Sequence, residues 1–391
     1  MIPRLTTFCL GLSQLICWGV SFYLIGALGE RIVADTGWSG AFVYGGFSAS
    51  LVVMGMVSPL VGRTIDRRGG RPVMTAGSVL IAVGVTILAL AHHPAVYGAA
   101  WLILGVAMRM TLYDAAFASL ARIAGPDARR SISQITLLGG LASTTFWPVG
   151  HYLADAFGWR VAALAFAGFA LSTVPLHLAI PPGRYVAPPP AADGGGPKMT
   201  DRRGGVLLAG ALYAVIVTLV AFLNSGLSAH MIGILTGLGV APALAVWIGG
   251  LRGVGQTTAR VCEIVFGRRL HPLTLAVVAT AIMPIGFAVG LLSGRIGAAA
   301  VAFALLFGVG NGLATIVRGT LPLVLFEPHV YGALVGRLLV PAFFLAALGP
   351  LAYALLIERF GNYAALILSL VLGIAIFAAA VALRVRFGPR R

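Results

Sequence analysis

Blocks of apolar residues, each about 20 long and separated by short polar punctuation, follow one another along nearly the whole chain. A helix of that length crosses the roughly 30 Å hydrocarbon core of a bilayer. Lipid offers no water to backbone N–H and C=O groups, so only helices and closed barrels can span it. Barrel strands would read as stretches of about ten residues alternating in polarity, and the long unbroken blocks exclude them. Charged residues make up 10% of the chain, where soluble domains carry about 25%. The sequence therefore predicts an all-α membrane protein. Its 52 glycines and 21 prolines suit membrane helices that pack closely or break around a cavity.

The apolar runs fall at 6–29, 39–61, 73–91, 95–121, 131–154 and 161–180, then at 206–229, 238–259, 273–292, 296–321, 331–356 and 362–383. They predict twelve transmembrane helices in two pseudo-symmetric six-helix bundles, residues 1–180 and 206–391. Between them, 181–205 is rich in Pro and Gly, with Lys198, Arg202 and Arg203 near its end, and reads as a flexible linker. The first run is too long for a signal-peptide core and is expected to stay as a helix. Cys9, Cys17 and Cys262 form no disulfide framework and no metal-ligand spacing, so neither metal nor cofactor is expected.

With the N-terminus inside, 20 of the 27 Lys and Arg residues lie on the cytoplasmic side and 4 on the other. That asymmetry predicts a multi-pass protein of the cell membrane with both termini and the linker in the cytoplasm. It also accounts for the net charge of +16. The charge is spread over short loops with no single basic patch, so no nucleic-acid partner is expected.

The halves echo one another. Gly105-Val106 matches Gly308-Val309 at an offset of 203, and Trp147-Pro148 with Phe157-Gly158 matches Gly349-Pro350 with Phe360-Gly361 at 202 to 203. Gly62 and Asp66 have a weaker counterpart in Ala259 and Glu263. Two such halves joined by a linker are transporter architecture, with a site expected near the bilayer midplane.

Between the second and third runs stands Gly62-Arg-Thr-Ile-Asp66-Arg67-Arg68-Gly69-Gly70-Arg71-Pro72. This resembles the helix 2 to 3 signature of the major facilitator superfamily. The resemblance implies twelve helices in two bundles that rock about a central site. It also implies a conformational latch made by Gly62, Asp66, Arg67, Gly70 and Arg71. Gly62 would let helices approach, and Asp66 would take hydrogen bonds from arginines or sit near a helix N-terminus. Arg109 is similar to an arginine that many proton-coupled members carry in the fourth helix. Residues Gly140 to Gly150 resemble a degraded antiporter signature, with Trp147 where a glycine is expected.

A charge at the centre of a bilayer costs at least about 2.5 to 3.5 kcal/mol, so each needs a partner or a wet cavity. Ten of the eleven acids fall in loops or at helix ends, and only Asp114 lies deep in a run. Opposite it stand Arg109, Arg252 and Arg318. In one continuous helix Arg109 and Asp114 would be about 140° apart and unpaired with each other; the repeat offset suggests Arg318 as a partner for Asp114. Gln14, Trp18, Tyr113, Gln256 and Asn311 join the arginines as expected cavity residues. His92, His93, His177, His271 and His329 are expected to be solvated at the interface, with His151 and His230 near an entrance.

These features favour a secondary active transporter, expected to act as a monomer, that moves a small organic anion by alternating access. Asp114 would couple the cycle to protons, and Arg109, Arg252 and Arg318 would hold or gate the anion. The alternative is proton-linked efflux of lipophilic or drug-like compounds. A membrane sensor, receptor or enzyme on a transporter-like body is the non-transport alternative. No nucleophile-base pair, phosphate loop or catalytic residue supports it.

Overall fold

The computed structural model describes residues 2–186, 203–267 and 270–388. Among these the chain is almost wholly helical and contains no strand. Each predicted apolar run lies on helix, and nine helical stretches of the described residues are long and apolar enough to cross a membrane. The chain divides into two compact units, Met1–Ala187 with Glu327–Val340, and Pro188–Phe326 with Pro341–Arg391. Thus residues 327–340, which belong by order to the second half, are part of the first unit. Most of the predicted linker, 187–202, lies outside the described residues. Its first residues are tied down: Tyr185 N–H donates to the Arg122 carbonyl at 2.7 Å, and Arg122 Nη1 donates to the Gly183 carbonyl at 2.7 Å.

In the first unit the first run is interrupted. Helix α1 (Arg4–Cys17) passes through a π-helical turn at Trp18–Phe22 into α2 (Leu24–Thr36). A π turn inside an α-helix displaces the side chains that follow and is frequent at functional sites. Helices α3 (Gly40–Arg68) and α4 (Gly70–Ala89) meet at Gly69. The fourth run is two helices, α5 (Pro94–Thr111) and α6 (Tyr113–Ala124), parted by the extended backbone of Leu112 (φ −73°, ψ −177°). The fifth run is likewise two, α7 (Arg129–Gly139) and α8 (Ala142–Phe157), followed by α9 (Trp159–Leu178).

The second unit carries α10 (Arg203–Gly237), α11 (Pro242–Phe266), α12 (Pro272–Gly290), α13 (Gly297–Thr320) and the short α14 (Pro322–Leu325). The chain then enters the first unit as α15 (Tyr331–Leu338) and returns in α16 (Val340–Phe387), which turns sharply at Gly361. Pro350 inside α16 cannot donate to Ala346, and Ser225 Oγ takes that freed carbonyl at 2.6 Å.

Two pairs of positions related by the expected offset share a local geometry. Gly158 has φ 83° and ψ 156°, and its predicted equivalent Gly361 has φ 80° and ψ 176°. This conformation is essentially confined to glycine, and in both places it turns one helix directly into the next. A Cβ on Gly105 would meet the Ser50 carbonyl oxygen of α3 at 2.6 Å, and one on Gly308 would strike the Arg252 carbonyl oxygen of α11. Both the glycines and the carbonyls they rest on are separated by about the same offset.

Candidate functional site

In the first unit two helix interruptions meet. The break at Leu112 lets the Ala115 N–H bond the Leu112 carbonyl at 2.9 Å, leaving the Thr111 carbonyl out of the ladder. Gln14 Nε2, from α1, donates to that carbonyl at 2.8 Å. The ring of Trp18, first residue of the π turn, lies 5.0 Å from that of Tyr113, first residue of α6. Tyr113 stacks on Phe117 at 5.5 Å and donates its hydroxyl to the Thr136 carbonyl at 3.2 Å, tying α6 to α7. Phe22, Tyr23, Phe47 and Trp147 continue the aromatic wall at ring spacings of 4.7 to 6.2 Å. Two polar atoms here are enclosed with no hydrogen-bond partner among the described residues, Gln14 Oε1 and Trp18 Nε1. Buried polar atoms left in that state are uncommon and costly.

Asp114 is half-buried in the first turn of α6, directly after the break. The angle expected for one continuous helix from Arg109 to Asp114 therefore does not apply, because Leu112 redirects the chain between them. Arg109 lies in the last turn of α5. It is 2% exposed, donates from Nε to Ser58 Oγ at 2.8 Å, and reaches the Ser58 carbonyl at 3.4 Å. These bonds tie α5 to α3.

Ser58 leads to the signature loop. A Cβ on Gly336 would lie 2.6 Å from the Ser58 carbonyl oxygen, and one on Gly332 would lie 2.5 Å from that of Gly62. Helices α3 and α15 thus touch backbone to backbone over one helical turn. At the end of this seam Asp66 accepts from the Gly332 N–H at 2.9 Å and the Ala333 N–H at 2.7 Å. Its carboxylate caps the first turn of α15, where unpaired N–H groups favour negative charge. Of the two sequence expectations for Asp66, the helix N-terminus is the one observed. Arg67 and Arg71 are exposed, and the arginine that reaches this corner is Arg122, whose Nε donates to the Asp66 carbonyl at 3.2 Å. Gly70 rests against Ser119 of α6.

In the second unit Arg252 is half-buried and donates to Ser228 Oγ at 2.7 Å and to Asn224 Oδ1 at 3.2 Å. Asn311 Nδ2 donates to the same Asn224 oxygen at 2.8 Å, and the guanidinium lies 5.4 Å from the Phe307 ring. Arg252 and Asn311 are thus joined through Asn224, a residue that sequence reasoning missed. The backbone of Gln256 is the surface on which Gly312 packs. Arg318 lies over the Phe343 ring at 5.5 Å, with its carbonyl held by the Tyr213 hydroxyl at 2.8 Å.

Histidine corrects another expectation. His177 is fully buried, with Nδ1 at 2.8 Å from Ser78 Oγ, in a chain that continues to Thr173 at 2.7 Å and Cys17. His93 and His271 each cap a helix that starts with proline, accepting from Ala95 and Leu273 N–H. His230 bonds the Pro350 carbonyl at 2.8 Å.

A model of the Major Facilitator Superfamily matches residues 10–336. The chain belongs to this superfamily. By family and by its apolar helices it is a multi-pass membrane protein. Among curated superfamily relatives, the chain is 29% identical over 205 residues to the multidrug resistance protein MdtL of Escherichia fergusonii, covering 51% of this chain and 50% of that protein. The protein of the same name from Shigella flexneri is 30% identical over 180 residues, 45% of this chain and 44% of that one. The chain thus aligns with about half the length of these relatives. Among solved superfamily structures, the human organic anion transporter MFSD10 matches with TM-score 0.69 and 19% identity, over 97% of this chain and 100% of that one. The proton:xylose symporter XylE matches with TM-score 0.75 and 14% identity, over 98% and 95%. FucP in its outward conformation matches with TM-score 0.74 and 12% identity, over 98% and 99%.

Proposed function

We propose that this transporter moves small lipophilic, drug-like compounds out of the cell at the expense of a proton gradient. We also propose that it does so as a monomer of twelve helices in two six-helix bundles with cytoplasmic termini. The meeting of the π turn and the Leu112 break carries the reading. There an aromatic wall led by Trp18 and Tyr113 surrounds one enclosed donor, Trp18 Nε1, and one enclosed acceptor, Gln14 Oε1. Aromatic faces suit lipophilic rings, and a polar substituent would satisfy atoms that the protein leaves unpaired. The resemblance to relatives called multidrug resistance proteins supports the same class. Asp114, one residue beyond Tyr113, is the proposed proton carrier. Asp66 and the α3–α15 seam are the proposed latch, released and remade as segment 327–340 leaves and rejoins the first unit.

A second reading, transport of a small organic anion, is favoured by Arg252 with Asn224, Ser228 and Asn311. A thermal-shift screen of purified protein decides between them, because selective binding stabilises by mass action. Neutral aromatic compounds should raise the melting temperature, with the effect lost in Trp18→Ala. Stabilisation by small aliphatic carboxylates alone would favour the anion reading and overturn the first.

A further inference from the structure

Helix α11 carries Arg252, Gln256, Arg260 and Glu263 within about 80° of one face at 100° per residue. Arg252 is absorbed by Asn224 and Ser228. Arg260, two turns or about 12 Å further along, is 4% exposed, and no acceptor among the described residues reaches its Nε or Nη1. Long cationic side chains near helix ends usually extend to water and keep their charge hydrated. This one is enclosed instead, and a buried guanidinium with unanswered N–H groups is among the costliest arrangements a protein can hold. The neighbourhood adds to the positive field. Helices α11 and α13 pack together at Gly308 and Gly312, and between them they bear Arg252, Arg260 and Arg318 against Glu263 as their one acid.

We infer that Arg260 is the centre of an anion site in the second unit, built for an oxygen of a carboxylate or phosphate group. Such an oxygen supplies the charge and the acceptors that the protein does not. A guanidinium keeps its charge under all physiological conditions, so the site is permanently cationic. It belongs to the second unit, and the inference stands independently of what the Trp18–Tyr113 wall of the first unit binds. A free organic or inorganic anion and an anionic lipid headgroup offer the same chemistry.

The test uses the full chain in nanodiscs of phosphatidylcholine, with thermal stabilisation titrated by benzoate and by inorganic phosphate at constant ionic strength. The parent should show saturable stabilisation by at least one of them. Arg260→Gln should lose it, and Arg260→Lys, which keeps the charge and alters the donors, should shift the midpoint at least tenfold. Should Arg260→Gln fail to fold, Arg260→Lys decides alone. Cys262→Ala, an exposed neighbour, should behave as the parent. Adding phosphatidylglycerol separates the sources. Loss of the free-anion response there identifies a lipid headgroup as occupant, and an unchanged response identifies a free anion. The inference is overturned if the parent responds to neither anion in phosphatidylcholine, or if Arg260→Gln or Arg260→Lys titrates like the parent. Stabilisation by neutral aromatic compounds should persist in the Arg260 variants, so failure here is distinguishable from failure of the proposed cargo.

Discussion

Gly332→Ala isolates the α3–α15 seam from the chemistry of transport. The added Cβ would lie 2.5 Å from the Gly62 carbonyl oxygen and 2.7 Å from Asp66 Oδ1. A carbon and an oxygen not bonded to each other need about 3.3 Å. Both obstacles sit on α3, so α15 must retreat by about 0.8 Å from an observed 2.5 Å contact. The same retreat would stretch the Gly332 and Ala333 bonds to Asp66 from 2.9 and 2.7 Å to about 3.7 and 3.5 Å, beyond good hydrogen-bond geometry. Hydrogen bonds to a charged group contribute about 1.5 to 3 kcal/mol each. Discounting for water that re-enters the opened seam, about 3 kcal/mol of the hold on 327–340 is lost. At 1.4 kcal/mol per factor of ten, local opening becomes roughly 100-fold more frequent. Hydrogen exchange by mass spectrometry on peptides spanning 327–340 reads this directly. Asp66→Asn removes the charge but keeps the shape and should give a smaller rise, about tenfold. Unchanged exchange in Gly332→Ala, with the protein folded, would refute the seam as a hold on this segment.

Other expectations follow from the same geometry. Asp114→Asn should abolish accumulation driven by an imposed pH gradient in proteoliposomes yet permit exchange of substrate across the membrane; full accumulation would leave Asp114 a structural residue. Gly158→Ala and Gly361→Ala should each destabilise by about 1 to 3 kcal/mol, because alanine cannot adopt their backbone conformation without strain; a melting temperature equal to the parent's would contradict this. Arg122→Ala releases both the Gly183 carbonyl and the Asp66 carbonyl, and should quicken proteolysis at the start of the linker with little change in substrate binding. A cysteine at Gly194 should react with impermeant reagents only from the cytoplasm, and one at the exposed Arg295 only from outside, with the reverse pattern overturning the topology.

The sequence revealed where helices run because a bilayer demands long apolar segments, a signal that no local detail can hide. It revealed the repeat through Gly158 and Gly361, since only glycine can hold that turn. It did not reveal where helices stop being regular. Nothing in Met110-Thr-Leu-Tyr113 marks a break, for it contains neither Pro nor Gly; the break is sustained by Gln14, 97 residues away, taking the stranded carbonyl. The fate of arginines was equally hidden. Arg109, Arg252 and Arg318 look alike in a run of apolar residues, and only packing separates one clamped on Ser58 from one spread over Asn224 and Ser228. The partner of Asp66 does leave a sign in the sequence: Gly332 and Gly336 stand one turn apart, the spacing by which one helix lets another approach.

The two halves keep the same corners but use them differently. In the first unit, the fourth run breaks at Leu112, and its first new turn carries Tyr113 and Asp114. The repeat offset carries Leu112 to Thr315 and Asp114 to Val317, and there α13 continues unbroken from Gly297 to Thr320. A broken helix frees backbone groups and needs side chains such as Gln14 to answer them, so it is retained only where the freed ends have a use. An unbroken one frees none and can instead pack glycine to backbone, as Gly308 and Gly312 do on Arg252 and Gln256. The two halves thus fill corresponding runs differently, with a broken, aromatic-lined run in the first and an unbroken, glycine-packed run beside arginines in the second. On the reading proposed above, lipophilic recognition with its proton step falls to the first half, and anion recognition at Arg260 to the second.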